Sequence, residues 1–422
     1  MYRRQIGHVS TGQRIVLERT GKIRIESFEL PRPGPRDILV RTRLTQVSAG
    51  TEVNAIRARR SGAPLGEVAD LPLGYTSVGT VEAVGPEVTG LAPGDRVLGQ
   101  GPHASHWLVA QTAPASEDAQ ASEHGLLPVP DEVDDASAAF AILGDVALHA
   151  VRRAQIAIGE SVAVHGQGVV GLIALRLARL SGAHPLIGVD VVDERLRVSK
   201  LYGASHVVNA TSQDVAAAIH TATPVPRRFA GVAAAGLEPT SGADVQIHAT
   251  SGIDVVPQIL QAAGDRGRIV IAGATAAWPD PGPTVPLSLD VLLRREISVV
   301  GSYETGVAAS HPYWPWSRAR NHATVIDLIR RGARRSSADQ SRRAVPRRAR
   351  DLRHAGGRRR GLAQRCLHLD RVMDTRPGAP VQPLVLRDHA KRSRATRITL
   401  WQSSTHQNAT ITSPSGSSSG DG

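Results

Sequence analysis

Cysteine is almost absent. Cys366 is the single thiol among 422 residues, so the chain can hold neither a disulfide framework nor a cysteine-built zinc cluster. Aromatic residues make up only 3%. No apolar run approaches the roughly 18 residues of a membrane span, and the start, MYRRQIGHVSTGQR, lacks the apolar core of a secretion signal. These absences make a cytoplasmic protein without a membrane partner the expectation. Hydrophobic residues at 41% and charged residues at 21% describe a globular chain and exclude collagen-like or wholly disordered classes. At about 100–200 residues per domain, the length suits two domains.

The formal net charge of +12 invites a nucleic-acid reading, but the charge sits at one end. Residues 331–422 carry 19 Arg and 1 Lys against 6 Asp, a net of +14, which leaves −2 for residues 1–330. A nucleic-acid surface on the main body therefore has no support. The tail text RRSSADQSRRAVPRRARDLRHAGGRRR has no apolar period. It reads as a disordered basic segment, or as the Arg-, Ala-, Gly-, Pro- and Ser-rich product of a frame shift near Ala333 in a GC-rich gene.

Two periodicities divide the rest. Residues 14–47 alternate apolar and polar, and short strand signals continue through SVGTVEAVG, the Pro93-Gly94-Asp95 turn, RVLG and HWLVA, as in a small all-β unit. An Ala-rich helix is expected from about Ala136 to Ile156. From Glu160 the pattern becomes strand then helix: SVAVHG, GVVGLIALRLARLSG, PLIGVD, DERLRVSKLYGA, HVVNA, DVAAAIHTA, ADVQIHAT, DVVPQILQAAG and RIVIAGA. Strands separated by helices of that length predict an α/β chain with a parallel, doubly wound sheet. Residues 223–242 are longer than such units need and read as a surface loop. One further helix, ATVIDLIRRG, is expected to stop at Gly332.

The motif that carries chemistry is Gly166-Gln167-Gly168-Val169-Val170-Gly171. It closes an apolar strand and opens a helix, and Asp190 ends the next strand 19 residues after Gly171. Gly166 would allow the tight turn, Gly168 the approach of a pyrophosphate, and Gly171 close packing of helix on sheet. The helix N-terminus offers amides and a positive dipole end to phosphates. Asp190 would accept from the ribose hydroxyls and repel a 2′-phosphate, favouring NAD(H). Arg195 and Arg197 keep NADP(H) open, and Ala272 and Gly273, closing RIVIAGA, are further candidates for the cofactor site. The plainer alternative is glycines that serve only a turn.

With PGDRV (93–97), GYTSVGTVEAVG (74–85) and SAGTE (48–52), the chain resembles the medium-chain dehydrogenase/reductases, the zinc-type alcohol dehydrogenase superfamily. SAGTE, GYTSVG and ALHAVRRA are similar to the bacteriochlorophyllide-type dehydrogenases within it. The resemblance implies a GroES-like catalytic domain over 14–140, a Rossmann domain over 141–290, a return to the catalytic domain over 291–332, and the basic tail over 333–422. It implies hydride transfer between a nicotinamide and a small alcohol or carbonyl, in a homo-dimer or homo-tetramer. The departures are at the metal. The family's cysteine ligand falls on Ala49, its histidine on Tyr75, the neighbouring glutamate on Thr76 and the third ligand on Asp145. Catalytic zinc is not expected on that set.

Without a metal, hydrogen-bond donors must stabilise the reacting oxygen. The candidates are Thr51, Tyr75, His103, Asp145 and His149, with His106 behind them. Each has a plainer reading: Thr51 or Asp145 as a helix cap, Tyr75 as a packed aromatic, His149 as a core histidine. Tyr313, Trp314 and Trp316 could wall a pocket for a large substrate, or serve as core or subunit contact. A catalytically inactive nucleotide-binding protein and a zinc-free quinone or enoyl reductase are the alternatives to an alcohol dehydrogenase.

Overall fold

The computed structural model describes residues 11–62, 70–110, 125–223, 241–273, 284–303, 315–343, 385–387, 398–400 and 409–411. Its first part is built from antiparallel strands, as the alternating pattern dictates. β1 (Thr11–Leu17) pairs with β2 (Ile23–Glu29), and β3 (Asp37–Gln46) leads into helix α1 (Ala49–Arg60). β4 (Leu71–Pro72) returns to β1, followed by β5 (Ser77–Val84), β6 (Arg96–Gly99), β7 (His106–Ala110) and β8 (Leu126–Pro128). β3 pairs with both β5 and β7, and β6 lies between β5 and β8.

Helix α2 (Asp135–Ala154) follows. Asp134 caps it by accepting the Ser137 N–H, and most of its residues are buried, as expected of a helix apolar nearly all round. The second sheet then runs β9 (Val162–His165), α3 (Val169–Leu180), β10 (Leu186–Asp190), α4 (Asp193–Leu201), β11 (His206–Asn209) and α5 (Val215–Ala222). It continues through β12 (Ala243–His248), α6 (Val256–Gln261), β13 (Ala263–Ile271), α7 (Leu289–Arg294) and β14 (Ser298–Gly301). All six strands are parallel, in the order β11-β10-β9-β12-β13-β14. This is the Rossmann order, with its topological switch between β9 and β12.

α8 (Arg318–Arg343) lies against α2. Gly144 permits the approach: a Cβ there would stand 2.6 Å from Cγ1 of Val325. One hydrophobic core runs from Leu44, Val78 and Leu98 of the first sheet, through Ile142 and Leu148 of α2, to Leu175 of α3 and Val164 and Ile247 of the second sheet. In the tail, β15 (Val385–Arg387) pairs with β3, and β16 (Ile398–Leu400) pairs with β17 (Ala409–Ile411).

Three expectations change at element ends. The helix predicted to stop at Gly332 runs on to Arg343, because residues 333–343 hold no Pro or Gly to end it. The helix predicted through Gly264 ends at Gln261, because pairing with β12 already recruits Ala263 into β13. Ser48, not Thr51, is the N-cap of α1, and Asp145 lies mid-helix, so neither of the two capping alternatives holds. Of the expected 223–242 loop, residues 224–240 lie outside the described residues, as do Tyr313 and Trp314.

Candidate active site

At the end of β9 the chain turns through Gly166, whose φ of +90° is open to glycine, and its N–H donates to the Val189 carbonyl at 2.8 Å. An added Cβ on Gly171 would stand 1.7 Å from the Gly166 carbonyl oxygen, so helix and loop meet where only a hydrogen fits. Gly168 differs: it is the N-cap of α3, and an added Cβ there meets nothing within 4 Å. No side-chain hydrogen bond caps α3. An open face over the first-turn amides of a helix suits a phosphate group.

Asp190 closes β10 and is only 7% exposed. Its Oδ1 accepts the N–H groups of Val191 (2.8 Å) and Val192 (3.0 Å), and its Oδ2 accepts that of Gln167 (2.6 Å). Arg195 Nη1 stands 3.5 Å from Oδ2. The carboxylate thus ties the glycine loop to the strand beside it. The Gln167 side chain turns inward, donating to the Val164 carbonyl and accepting from Ser199. Ala272 and Gly273 both donate to the His248 carbonyl, and a Cβ on Gly273 would stand 2.0 Å from the Thr250 carbonyl oxygen. Beneath this rim, His165 donates through Nε2 to Oε1 of Gln246, whose amide nitrogen is committed to the Ile259 carbonyl. Burial pushes His165 down to about 4, and lowers His248 also.

A second cluster forms where β3 hands over to α1. The Tyr75 hydroxyl donates to Ser48 Oγ at 2.5 Å, and Thr51 Oγ1 lies 3.5 Å from the same phenolic oxygen. Tyr75 also packs against Phe140, Leu143 and Val169, the first residue of α3. Phenol, two hydroxyls and the cluster that holds the first residue of α3 are therefore neighbours. Behind them, Glu52 accepts the Ser48 N–H through Oε1 (2.7 Å) and bonds His103 Nε2 through Oε2 (2.9 Å), while His103 Nδ1 bonds Thr45 Oγ1 (2.8 Å). Ser48, Glu52 and Thr45 escaped the sequence reading, because nothing local to residue 103 indicates that it meets residue 52. His106 stands apart at the surface beside Glu82.

Asp145 and His149 are one turn apart on α2, and both are buried. Asp145 Oδ1 accepts from Asn321 Nδ2 at 2.8 Å, and its Oδ2 lies 3.6 Å from Arg318 Nε and 3.4 Å from His322 Nε2. Burial, with Arg318 second, pushes His322 down to about 4, so Arg318 supplies the charge opposite Asp145. Burial also lowers His149, with Arg153 and Arg152 adding to the effect. Arg152 bonds Asn321, and both Arg152 and Arg320 stack on the Trp316 ring. Asp145 is thus engaged in docking α8, and two guanidinium groups contact the Trp316 ring.

The positions that align with the family's zinc ligands do not form a donor set. Ala49 has none, Tyr75 is bonded to Ser48, and Asp145 is committed to α8. Among the described residues, no group of three His, Cys, Asp or Glu side chains is placed to hold a metal ion. The dinucleotide end does fit its ligand, on the open face of Gly168.

Comparison with known proteins agrees with this architecture. Residues 34–131 match the family model of the alcohol dehydrogenase GroES-like domain, and residues 169–317 that of the zinc-binding dehydrogenases. The chain belongs to the zinc-type medium-chain dehydrogenase/reductase superfamily. It is 27% identical to an L-threonine 3-dehydrogenase of Deinococcus deserti, over 65% of this chain and 78% of that protein. It is 30% identical to a sorbitol dehydrogenase of Gallus gallus, over 50% of this chain and 66% of that protein. Among solved structures, benzyl alcohol dehydrogenase of Acinetobacter calcoaceticus shares the fold (TM-score 0.58, 20% identity, 80% of this chain and 97% of that one). So does a Sinorhizobium meliloti protein crystallised with NADP (TM-score 0.58, 24% identity, 77% and 90%). No helix among the described residues is long and apolar enough to cross a membrane.

Proposed function

We propose that this chain is an NAD(P)-dependent oxidoreductase that interconverts a small alcohol and its carbonyl compound without catalytic zinc. The observation that carries the reading is Tyr75, whose hydroxyl sits with Ser48 and Thr51 while its ring packs against the apolar cluster that contains Val169, next to the open Gly168. The nicotinamide, when bound, supplies or accepts the hydride. Gly166, Gly168 and Gly171 shape the loop for the pyrophosphate, and the amides of Val169 and Val170 face it. The buried Asp190 carboxylate disfavours a 2′-phosphate by charge, which supports preference for NAD(H), with Arg195 at the rim of the ribose site.

Tyr75 takes the place of the absent metal at the reacting oxygen. In reduction its phenolic proton passes to the carbonyl oxygen as negative charge develops there; in oxidation the proton returns. Thr51 donates a second hydrogen bond. His103 supports them from behind, and Asp145 holds α2 against α8, with His149 one turn further along α2. On this reading residues 14–140 and 291–332 form the catalytic part and 141–290 the dinucleotide part. The reading extends to a cytoplasmic homo-dimer or homo-tetramer.

The test is a titration with NADH and NADPH, following energy transfer from tryptophan to bound nicotinamide, then assays at 340 nm against alcohols and ketones. Tighter NADH binding and turnover that survives chelation, in protein with no stoichiometric zinc, are expected. Turnover that disappears on chelation and returns with zinc would refute the metal-free mechanism, and turnover of enones alone would move the protein to the enoyl reductases.

A further inference from the structure

We infer that Ser48 is a positioning residue for Tyr75, and that a buried Glu52–His103 pair releases its hydroxyl for that task. The inference rests on the proposed role of Tyr75. It begins from an anomaly at the start of α1. A serine at an N-cap normally spends its Oγ on an amide of the first helical turn. Ser48 is the N-cap of α1, yet its side chain makes no capping bond. Its Oγ accepts a hydrogen bond from the Tyr75 hydroxyl instead, at 2.5 Å.

The geometry shows what holds Ser48 there. Glu52, one turn into α1, accepts the Ser48 N–H, so the helix start is fastened through the backbone and not through the hydroxyl. Glu52 is 6% exposed, and a carboxylate buried that deeply needs a partner. His103, 4% exposed, provides it through Nε2, and Thr45 holds the far side of the ring. The same ring fixes the other half of the pair. Gly74, at φ +90°, lies directly on it: an added Cβ would stand 2.6 Å from the His103 Cγ, and the His103 N–H donates to the Leu73 carbonyl at 2.7 Å. One imidazole therefore sets the backbone ahead of Tyr75 and the carboxylate that anchors Ser48.

The chemical consequence follows from hydroxyl rotation. While Tyr75 is protonated it donates to Ser48. When its proton has passed to the substrate oxygen, the Ser48 hydroxyl turns and donates to the phenolate, while Thr51 keeps its hydrogen bond on the substrate oxygen. No proton leaves Ser48; it only reorients. A hydroxyl donor already in place stabilises the phenolate as it forms.

The test reads Tyr75 directly in the full-length protein, without substrate. Tyrosinate absorbance near 295 nm is titrated in the wild type and in Tyr75→Phe, and the difference isolates one phenol among five tyrosines. Ser48→Ala is expected to raise that midpoint by about one unit, and Ser48→Thr to restore it. His103→Leu is expected to raise it too, although His103 does not touch the phenol. If His103→Leu does not fold, Glu52→Gln takes its place. A midpoint unmoved by Ser48→Ala overturns the inference. A midpoint that moves while the pH profile of turnover does not follow it keeps the Ser48–Tyr75 coupling and refutes Tyr75 as the proton donor.

Discussion

Two glycines three residues apart should fail in opposite ways. At Gly171 an added methyl would stand 1.7 Å from the Gly166 carbonyl oxygen, against roughly 3.3 Å for a close carbon–oxygen contact. Helix α3 or the loop must move, at an overpacking cost of about 1–3 kcal/mol or more. In a domain of this size that lowers Tm by roughly 2–4 °C per kcal/mol, so Gly171→Ala should melt well below the wild type even without nucleotide. At Gly168 the same methyl meets open space, and the backbone is extended, which alanine accepts. The weaker alanine cap and the smaller unfolded-state entropy offset each other, leaving stability within about 1 kcal/mol. The methyl would occupy the face offered to the pyrophosphate. Losing one amide bond to a charged phosphate costs about 1.5–3 kcal/mol, or about 10–100-fold in Kd. Thermal melts and NADH titration of both variants give the four numbers needed. A Gly168→Ala protein that binds NADH as tightly as the wild type would show that the loop does not hold phosphate.

Asp190→Asn should weaken NADH more than NADPH, because a 2′-phosphate no longer meets a carboxylate; an unchanged ratio of the two Kd values counts against the ribose assignment. Acid should unfold the protein partly through His165. Its native value of about 4 lies below the ordinary 6.5, so the unfolded chain takes the proton first. Its contribution is whole above pH 6.5 and falls toward pH 4 by up to about 1.4 kcal/mol per pH unit, a slope that His165→Asn should reduce in melts at stepped pH. Asp145→Ala removes the acceptor of Asn321 and the counter-charge of Arg318, and should cost about 1–3 kcal/mol and expose α8 to protease. Equal cleavage of variant and wild type would mean that α8 is held by its apolar contacts alone.

The dinucleotide half was legible in the chain because its signals are local. GQGVVG, the apolar strands on either side and Asp190 lie within 30 residues, and periodicity places each on a strand end or helix start. The sixth strand, Ser298–Gly301, was hidden because it is four residues long and follows Arg294, Arg295 and Glu296 with no Gly or Pro before it. The hydroxyl cluster was half legible. Resemblance points to Thr51 and Tyr75, but Ser48 carries no signal of its own, and Glu52 looks like a favourable charge in a first helical turn. Only the long-range contact with His103 reveals their arrangement. Asp145 shows the converse, since a position read as a metal ligand or proton carrier is occupied by a helix that sequence order places more than 170 residues away.

The continuous core through α2 has a consequence for how the molecule comes apart. α2 touches β3, β5 and β6 of the first sheet, β12 and β13 of the second, and helix α3. Neither sheet can lose its packing without stripping a face of the helix the other depends on. Heat should then meet one cooperative unit in place of two modules, and a calorimetric scan should show a single peak for residues of both sheets. Excising the nucleotide half with α2 would leave in water the face of α2 that rests on β3, β5 and β6, so the isolated half should melt below the whole chain.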